Sequence, residues 1–173
     1  MNHIKIILFG FLATVTLVCH TYVDRFEKSG PEMLTGSWTQ QAQKPDLARV
    51  KKNELFLFSS DRNKSVNIRQ EIQSFEPGAI LMLSADIWFK DVQPGKKPWN
   101  RARFLLVQND GKKDRWDLSH LVASFTGTRG WGSYEKIFAI DASTQTLKVI
   151  AQLSQCTGSF QLKHLICTRS ARP

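Results

Sequence analysis

The sequence predicts an all-β sandwich of two antiparallel sheets, preceded by an apolar N-terminal segment that we expect to form a signal-anchor helix. Apolar and polar positions alternate along much of the chain, most clearly in residues 79–89 (AILMLSADIWF), and a period of two residues belongs to strands. Helix formers are sparse, whereas β-favouring Phe, Trp, Ile and Thr are common. Turn signals separate about eight or nine strand-like stretches, which is typical of a β-sandwich.

The apolar segment at the N-terminus is the clearest feature of the chain. Residues 6–19 (IILFGFLATVTLVC) carry no charge, and Lys5 supplies a positive residue before them. Such a segment is either a secretory signal peptide or a single membrane anchor. No small-x-small cleavage site follows it, and Val18 is too large for a lipoprotein motif around Cys19. We therefore favour an uncleaved signal-anchor, with a cleaved signal peptide as the alternative.

The chain divides into three regions. Residues 1–23 form the signal peptide or signal-anchor, residues 24–31 (DRFEKSGP) form a short charged tether, and residues 32–170 form the β domain. The short tail before the apolar segment favours export of everything that follows it. We expect a protein anchored in the inner membrane and facing the periplasm or another extracytoplasmic space, or a secreted protein if the signal is cleaved.

The first half of the β domain holds four predicted strands. Trp38 lies in an opening strand, and a polar loop follows it. Pro77 and Gly78 form a tight turn, and we interpret the strands on either side of this turn as a neighbouring pair. We expect the second of the pair to be buried on both faces, near the middle of a sheet. After the opening strand, the predicted strands are residues 54–59, 66–72 and 79–89.

The second half of the domain begins with a cationic loop and ends in a predicted hairpin. Asn109-Asp110-Gly111 is a strong turn signal, and residues 112–133 form a long connection. The hairpin would place Cys156 at its turn and Cys167 at the far end of the last strand. The distance between the two cysteines would then be well beyond the ~7 Å limit between Cα atoms for a disulfide, so we expect no intrachain bridge. The predicted strands of this half are residues 101–108, 134–141, 147–153 and 160–167.

The charge and the cysteines limit the possible partners. A net charge of +9 makes a surface that attracts anionic lipid headgroups, nucleic acid or acidic polysaccharide, and the charge alone does not choose among them. The predicted export argues against nucleic acid, so we expect no nucleic-acid partner. The sequence has no CxxC motif and no Cys/His set with metal-ligand spacing, and we expect neither a metal nor a cofactor.

The order of several weak motifs resembles a known family. They are Trp38, Val66-x-Ile68-x-Gln70-x-Ile72, Pro77-Gly78, Trp131-x-x-Tyr134-x-x-x-Phe138, Val149-x-Ala151-x-Leu153 and Thr157-Gly158. Across about residues 32–170 this order is similar to the jelly-roll carbohydrate-binding modules of the galactose-binding-like superfamily, which are fused to xylanases and glucanases. The resemblance implies a jelly roll of two antiparallel sheets and a sugar-binding role. The last predicted strand, FQLKHLIC, lacks the carboxylate that many such modules use to hold calcium.

Sugar binding needs aromatic faces for stacking and planar polar side chains at the rim. The candidate platforms are Trp99, Trp116, Trp131 and Tyr134, and the candidate polar partners are Arg101, Arg103, Gln108, Asn109 and Asp114. The resemblance also implies a packing role for Trp131, and we expect Trp88 to lie in the core. Arg101 and Arg103 are two apart on a predicted strand, so they share a face and can clamp a carboxylate or phosphate.

The function that these observations favour is non-catalytic, extracytoplasmic glycan binding, with an acidic polysaccharide among the candidate ligands. We expect no enzyme activity, because no GxSxG motif or base-orienting acid accompanies His120. The alternative is a structural or interaction subunit of a cell-envelope polysaccharide assembly or export system, which would bind an envelope protein and no sugar. The expected partners are therefore carbohydrate, the membrane through residues 1–23, and in the alternative a protein.

Overall fold

Ten strands form the computed structural model, which describes residues 38–40, 47–72 and 75–169. No helix among these residues has the length and apolarity needed to cross a bilayer. The predicted signal-anchor and tether lie outside the described residues. The strands are β1 (Thr39–Gln40), β2 (Ala48–Lys51), β3 (Glu54–Ser59), β4 (Val66–Ile72), β5 (Ile80–Gln93), β6 (Ala102–Asn109), β7 (Leu121–Phe125), β8 (Gly127–Ala139), β9 (Thr146–Leu153) and β10 (Thr157–Arg169).

The strands divide into two five-stranded antiparallel sheets. The first sheet has the order β1-β4-β9-β6-β7, and the second has the order β2-β3-β10-β5-β8. Because side chains alternate along each strand, one face of each sheet points at the other sheet and buries the core. The largest core side chains include Phe104 of the first sheet with Phe138 and Phe160 of the second. The predicted all-β sandwich is therefore confirmed.

Two predictions about neighbouring strands were wrong. The strands flanking Pro77 and Gly78 are not paired, because β4 lies in the first sheet and β5 in the second. The predicted hairpin at the end of the chain fails for the same reason, since β9 and β10 also lie in different sheets. A turn signal shows that the chain reverses, but a hairpin within a sheet and a crossover between sheets use the same turn residues.

The central strand is buried on one face only. In β5, Leu83, Ala85 and Ile87 point into the core, whereas Asp86 and Trp88 point outward and are partly exposed. The prediction that this stretch is buried on both faces, and that Trp88 lies in the core, was wrong. The outward face of β5 is instead part of the surface of the second sheet.

The long connection predicted for residues 112–133 contains strand structure. It includes β7 and the first half of β8, and the polar stretch after Trp38 includes β2. The N-terminal half of β8 has the sequence GTRGWGS, in which glycines interrupt any alternation of side chains. Its strand conformation comes from pairing with β5, so local sequence could not reveal it.

Both described cysteines are free thiols. Cys156 directly precedes β10 and Cys167 lies near its end, so the two are separated by most of the length of that strand. Burial raises the pKa of Cys156 to about 12 and that of Cys167 to about 11. Both thiols are therefore protonated and unreactive near neutral pH.

Gly158 lies where β10 first meets β5, and its backbone has a φ of +119°. A Cβ at this position would lie 2.8 Å from the carbonyl oxygens of Lys90 and Asp91. Those atoms belong to the backbone of the neighbouring strand and cannot rotate away. Glycine is therefore needed here for both conformation and space.

We predict that Gly158→Ala lowers the free energy of unfolding by about 1–3 kcal/mol, because the added methyl group combines backbone strain with steric overlap. Gly130→Ala is the matched control, since no atom lies within 4 Å of its added Cβ. Urea unfolding followed by tryptophan fluorescence measures both variants. Equal stability of the two variants would contradict the packing described for Gly158.

Candidate functional site

The outward side chains of β4 and β9, together with Arg103 of β6, form one surface, which we call the Arg103 face; the outward Leu105 and Val107 of β6 are fully buried. Register places Asn67 beside Gln152, Gln152 beside Arg103, and Arg103 beside Ser124 of β7. These four residues, the polar row, cross four adjacent strands over about 14 Å. Two amides and one guanidinium thus lie in line, and all three are planar hydrogen-bonding groups.

An aromatic pair, Trp116 and His120, lies beside Arg103 of the polar row. The Trp116 ring makes an edge contact with the His120 ring, with 5.2 Å between centroids and an interplanar angle of 87°. His120 Nε2 lies 3.4 Å from an Arg103 guanidinium nitrogen, and its Nδ1 lies 2.8 Å from the Leu118 carbonyl oxygen. Because the Trp116 side chain remains 50% exposed, it presents an apolar surface to solvent beside the row.

The β6–β7 connection holds Trp116 in this place. The amide of Arg115 donates to the carbonyl of Gln108, and the amide of Leu106 donates to the carbonyl of His120. These two hydrogen bonds attach both ends of a short loop segment, residues 115–120, to the edge of β6. Trp116 lies in this segment, so the backbone of β6 positions it.

Arg103 forms no ion pair with any described residue. Its side chain is only partly exposed, and burial lowers the pKa of the guanidinium without making it neutral. Arg101 precedes β6, and its Nε is buried without a hydrogen-bond partner in the part of the chain described. A partly buried cation without a protein anion gains most from an anionic or hydroxyl-rich ligand.

Asp114 and Lys148 form the charged border of the face. Lys148 Nζ lies 3.0 Å from Asp114 Oδ1, and the Asn109 amide donates to the same oxygen over 2.7 Å. Burial by itself raises the pKa of Asp114, but these hydrogen bonds outweigh burial and hold the pKa below its ordinary value. The carboxylate is therefore ionised at neutral pH and held in one orientation.

The predicted site residues do not all meet at this face. Arg103 and Trp116 are joined through His120, as described above, and Arg101 directly precedes the strand that holds Arg103. Trp99 is 52% exposed in the β5–β6 loop, where Lys97 Nζ lies 5.2 Å from its ring centroid. No described contact joins Trp99 to the polar row.

Three of the other predicted residues lie elsewhere. Gln108 is buried and bonds to the Ala139 carbonyl, the Asp141 amide and the Thr144 hydroxyl, so it has a structural role. Tyr134 packs against the core and contacts the Phe125 ring edge-on. Trp131 is 43% exposed on the second sheet, away from Arg103.

The sequence did not predict five residues at this face: Asn67, Ser124, His120, Lys148 and Gln152. The outward positions of Asn67, Lys148 and Gln152 follow from the alternation in β4 and β9, since the inward residues of those strands were recognisable. What the sequence does not show is that β9 lies between β4 and β6. No group of three or more potential metal ligands occurs among the described residues.

The fold that these strands define is the jelly roll of carbohydrate-binding modules, as the resemblance implied. One similar structure is the N-terminal cellulose-binding domain of β-1,4-glucanase C from Cellulomonas fimi, with 14% identity, a TM-score of 0.54, and coverage of 79% of this chain and 91% of that one. Another is the CBM22-1 xylan-binding domain of Paenibacillus barcinonensis Xyn10C, with 11% identity, a TM-score of 0.52, and coverage of 84% and 92%.

A third similar structure is the enzymatically active domain of bacteriophage CBA120 tailspike protein 4, with 12% identity and a TM-score of 0.52. The match covers 77% of this chain but only 18% of that larger one. No protein-family model matches the chain, and no curated protein matches its sequence. At these identities the likeness concerns the fold, and the function must be argued from the site.

We predict that Asp114→Asn lowers the free energy of unfolding by about 1–2 kcal/mol at pH 7, because it removes a charge-assisted hydrogen bond to Lys148. The folded state lowers the pKa of Asp114, so its contribution is present at neutral pH and is lost as the pH falls through the folded pKa. The difference in unfolding free energy between wild type and variant should therefore shrink once the pH is low enough to protonate Asp114 in the folded protein.

Asp61→Asn is the matched control for this prediction. Asp61 and Lys64 form an exposed pair at 3.8 Å, with side chains 43% and 64% exposed, and such pairs contribute little. Urea unfolding at several pH values measures both variants. If the difference in unfolding free energy between wild type and Asp114→Asn stays constant across the pH range, the ion-pair assignment is contradicted.

Proposed function

We propose that this protein binds glycans without catalysis, and that the Arg103 face is the binding surface. The observation that carries the proposal is the polar row beside an exposed tryptophan. A sugar chain lying across β4, β9 and β6 would meet the Asn67 and Gln152 amides and the Arg103 guanidinium in turn. Trp116 would cover the apolar C–H face of one sugar unit. The fold of cellulose- and xylan-binding domains supports this proposal.

The charge of the face favours a glycan that carries carboxylates. Arg103 has no anion beside it among the described residues, and Arg69 adds a second guanidinium on β4, opposite Ile150 of β9. A uronic acid unit would supply the carboxylate that Arg103 lacks, through a bidentate hydrogen bond. We therefore propose an acidic polysaccharide as the ligand of this surface.

The state of the Asp114 carboxylate supports binding of a glycan without its hydrolysis. A glycosidase needs one carboxylic acid that is protonated at the working pH, and a second carboxylate across the cleft from it. The pKa of Asp114 is lowered, and its Oδ1 accepts from both Asn109 and Lys148. A carboxylate held in this way cannot act as the general acid.

We predict that Trp116→Ala and Arg103→Gln each weaken glycan binding by about tenfold or more, which corresponds to the loss of ~1.4 kcal/mol from stacking or from a charged hydrogen bond. A glycan array probed with the full chain identifies the ligand, and titration calorimetry with that ligand measures the change. The array must include neutral and uronate-bearing oligosaccharides.

Trp131→Ala is the matched control for Trp116→Ala, because both indoles are about half exposed, but Trp116 lies in the β6–β7 connection and Trp131 lies on β8 of the second sheet. We expect Trp131→Ala to bind as the wild type does. If no glycan of either class binds, or if the two tryptophan variants lose affinity equally, the glycan proposal fails. The alternative, an envelope interaction subunit with no sugar site, would then be the better account.

We also propose that residues 1–23 anchor the protein in a membrane and that the β domain lies outside the cytoplasm. The uncharged stretch from residue 6 to residue 19 supports this, together with the lack of a small-x-small cleavage site. N-terminal sequencing of the protein from its membrane fraction tests it. We expect the chain to begin at Met1 or Asn2, whereas a new terminus at roughly residues 20–25 would mean a cleaved signal and a secreted protein.

A further inference from the structure

The second sheet carries a polar depression of its own, at the opposite side of the sandwich from Arg103. It has a volume of about 620 Å³ and lies at the hairpin between β2 and β3. Register places Arg49 beside Phe56 and Phe56 beside Gln161, on three adjacent strands. We call this depression the hairpin site. Its polar and aromatic lining residues are Arg49, Lys51, Lys52, Glu54, Phe56 and Gln161.

Phe56 orients Arg49 in this site. The guanidinium carbon of Arg49 lies 4.9 Å from the centroid of the Phe56 ring. The ring attracts the cation through its π face and occupies none of its N–H groups. Arg49 therefore has a fixed position and keeps its hydrogen-bond donors for a ligand.

The cations of the hairpin site have no ion-pair partner in the part of the chain that the structure describes. None of Arg49, Lys51 and Lys52 forms an ion pair within the described ranges, and all three are exposed. Glu54 is the one carboxylate among the lining residues. The site thus has an excess of two positive charges around a cavity large enough for a sugar unit.

The hairpin turn holds one of these lysines in an unfavourable backbone conformation. Lys52 has a φ of 50° and Asn53 a φ of 61°, and two positive φ values in a two-residue hairpin favour Asn-Gly or similar pairs. Lysine at the first position is strained relative to glycine or asparagine. A strained residue with a charged side chain beside a cavity is a sign of function at that position.

We propose that the hairpin site binds a carboxylated saccharide. The sugar carboxylate would bind Arg49 and the two lysines through charge-assisted hydrogen bonds. The Glu54 carboxylate and the Gln161 amide would bind its hydroxyl groups. Glu54 also repels a densely charged polyanion such as nucleic acid. This repulsion favours a ligand with few charges and many hydroxyl groups. This site is separate from the Arg103 face and does not depend on the function proposed for that face.

The test uses the full chain carrying Arg103→Gln, so that binding at the first surface is weakened. Titration calorimetry with a galacturonic acid trimer measures the hairpin site, and neutral cellotriose is the uncharged probe. We expect the trimer to bind and the neutral probe to bind much less. Adding Lys52→Gly or Arg49→Gln should weaken trimer binding about five- to tenfold, as expected for the loss of one charged hydrogen bond.

Lys52→Gly gives a second measurement that separates function from folding. Because glycine relieves the positive φ, this variant should melt about 2–4 °C higher than its parent even though it binds less. Lys96→Gln is the charge-matched control, since this exposed lysine follows the far end of β5. It should leave trimer affinity unchanged.

Three results would overturn the proposal. The first is trimer binding that is unchanged by Lys52→Gly and Arg49→Gln. The second is equal weakening by Lys96→Gln, which would mean that net charge alone attracts the trimer. The third is an oligothymidylate that binds the site more tightly than the trimer, which would point to nucleic acid. None of these results bears on whether the Arg103 face binds glycans, because every measurement is made without Arg103.

Discussion

The position of β9 between β4 and β6 is the constraint on which the proposed binding surface depends. In this register Gln152 lies between Asn67 and Arg103, and the inward residues of the same strands fill the core. A shift of one residue would turn every outward side chain of β9 into the core, so the buried leucines and valines fix the polar row. Packing therefore determines the chemistry of the surface, although no core residue would touch a ligand.

The two faces of the sandwich are built by different means. On the first sheet, the polar groups come from four adjacent strands, and the aromatic group comes from a connection tied to the edge of β6. On the second sheet, the cations come from one hairpin, and one of them, Arg49, lies over the ring of Phe56. The net charge of +9 thus includes cations placed beside planar polar or aromatic groups on both faces. Such placement distinguishes a candidate site from a generally basic surface.

The sequence predicted the fold class and most of the strands, because alternation is a local signal. Glu54–Ser59 and Val66–Ile72 have the predicted bounds. It did not predict the pairing, since the turn at Pro77 and Gly78 is compatible with either a hairpin or a crossover between sheets. For the candidate site, Arg103 and Trp116 were proposed from their residue types and their neighbours in the chain. Gln152 and Asn67 could not be, because strands distant in sequence bring them together.

The central claim is that a glycan lies along the polar row of the first sheet. A ¹H–¹⁵N correlation spectrum recorded during titration with the best ligand of a glycan array tests it most directly. The account predicts that the side-chain signals of Asn67, Gln152, Arg103 and Trp116 shift together with one dissociation constant, while the indole signal of Trp131 stays in place. Shifts confined to the second sheet, or no saturable shift among the signals of the polar row, would contradict it.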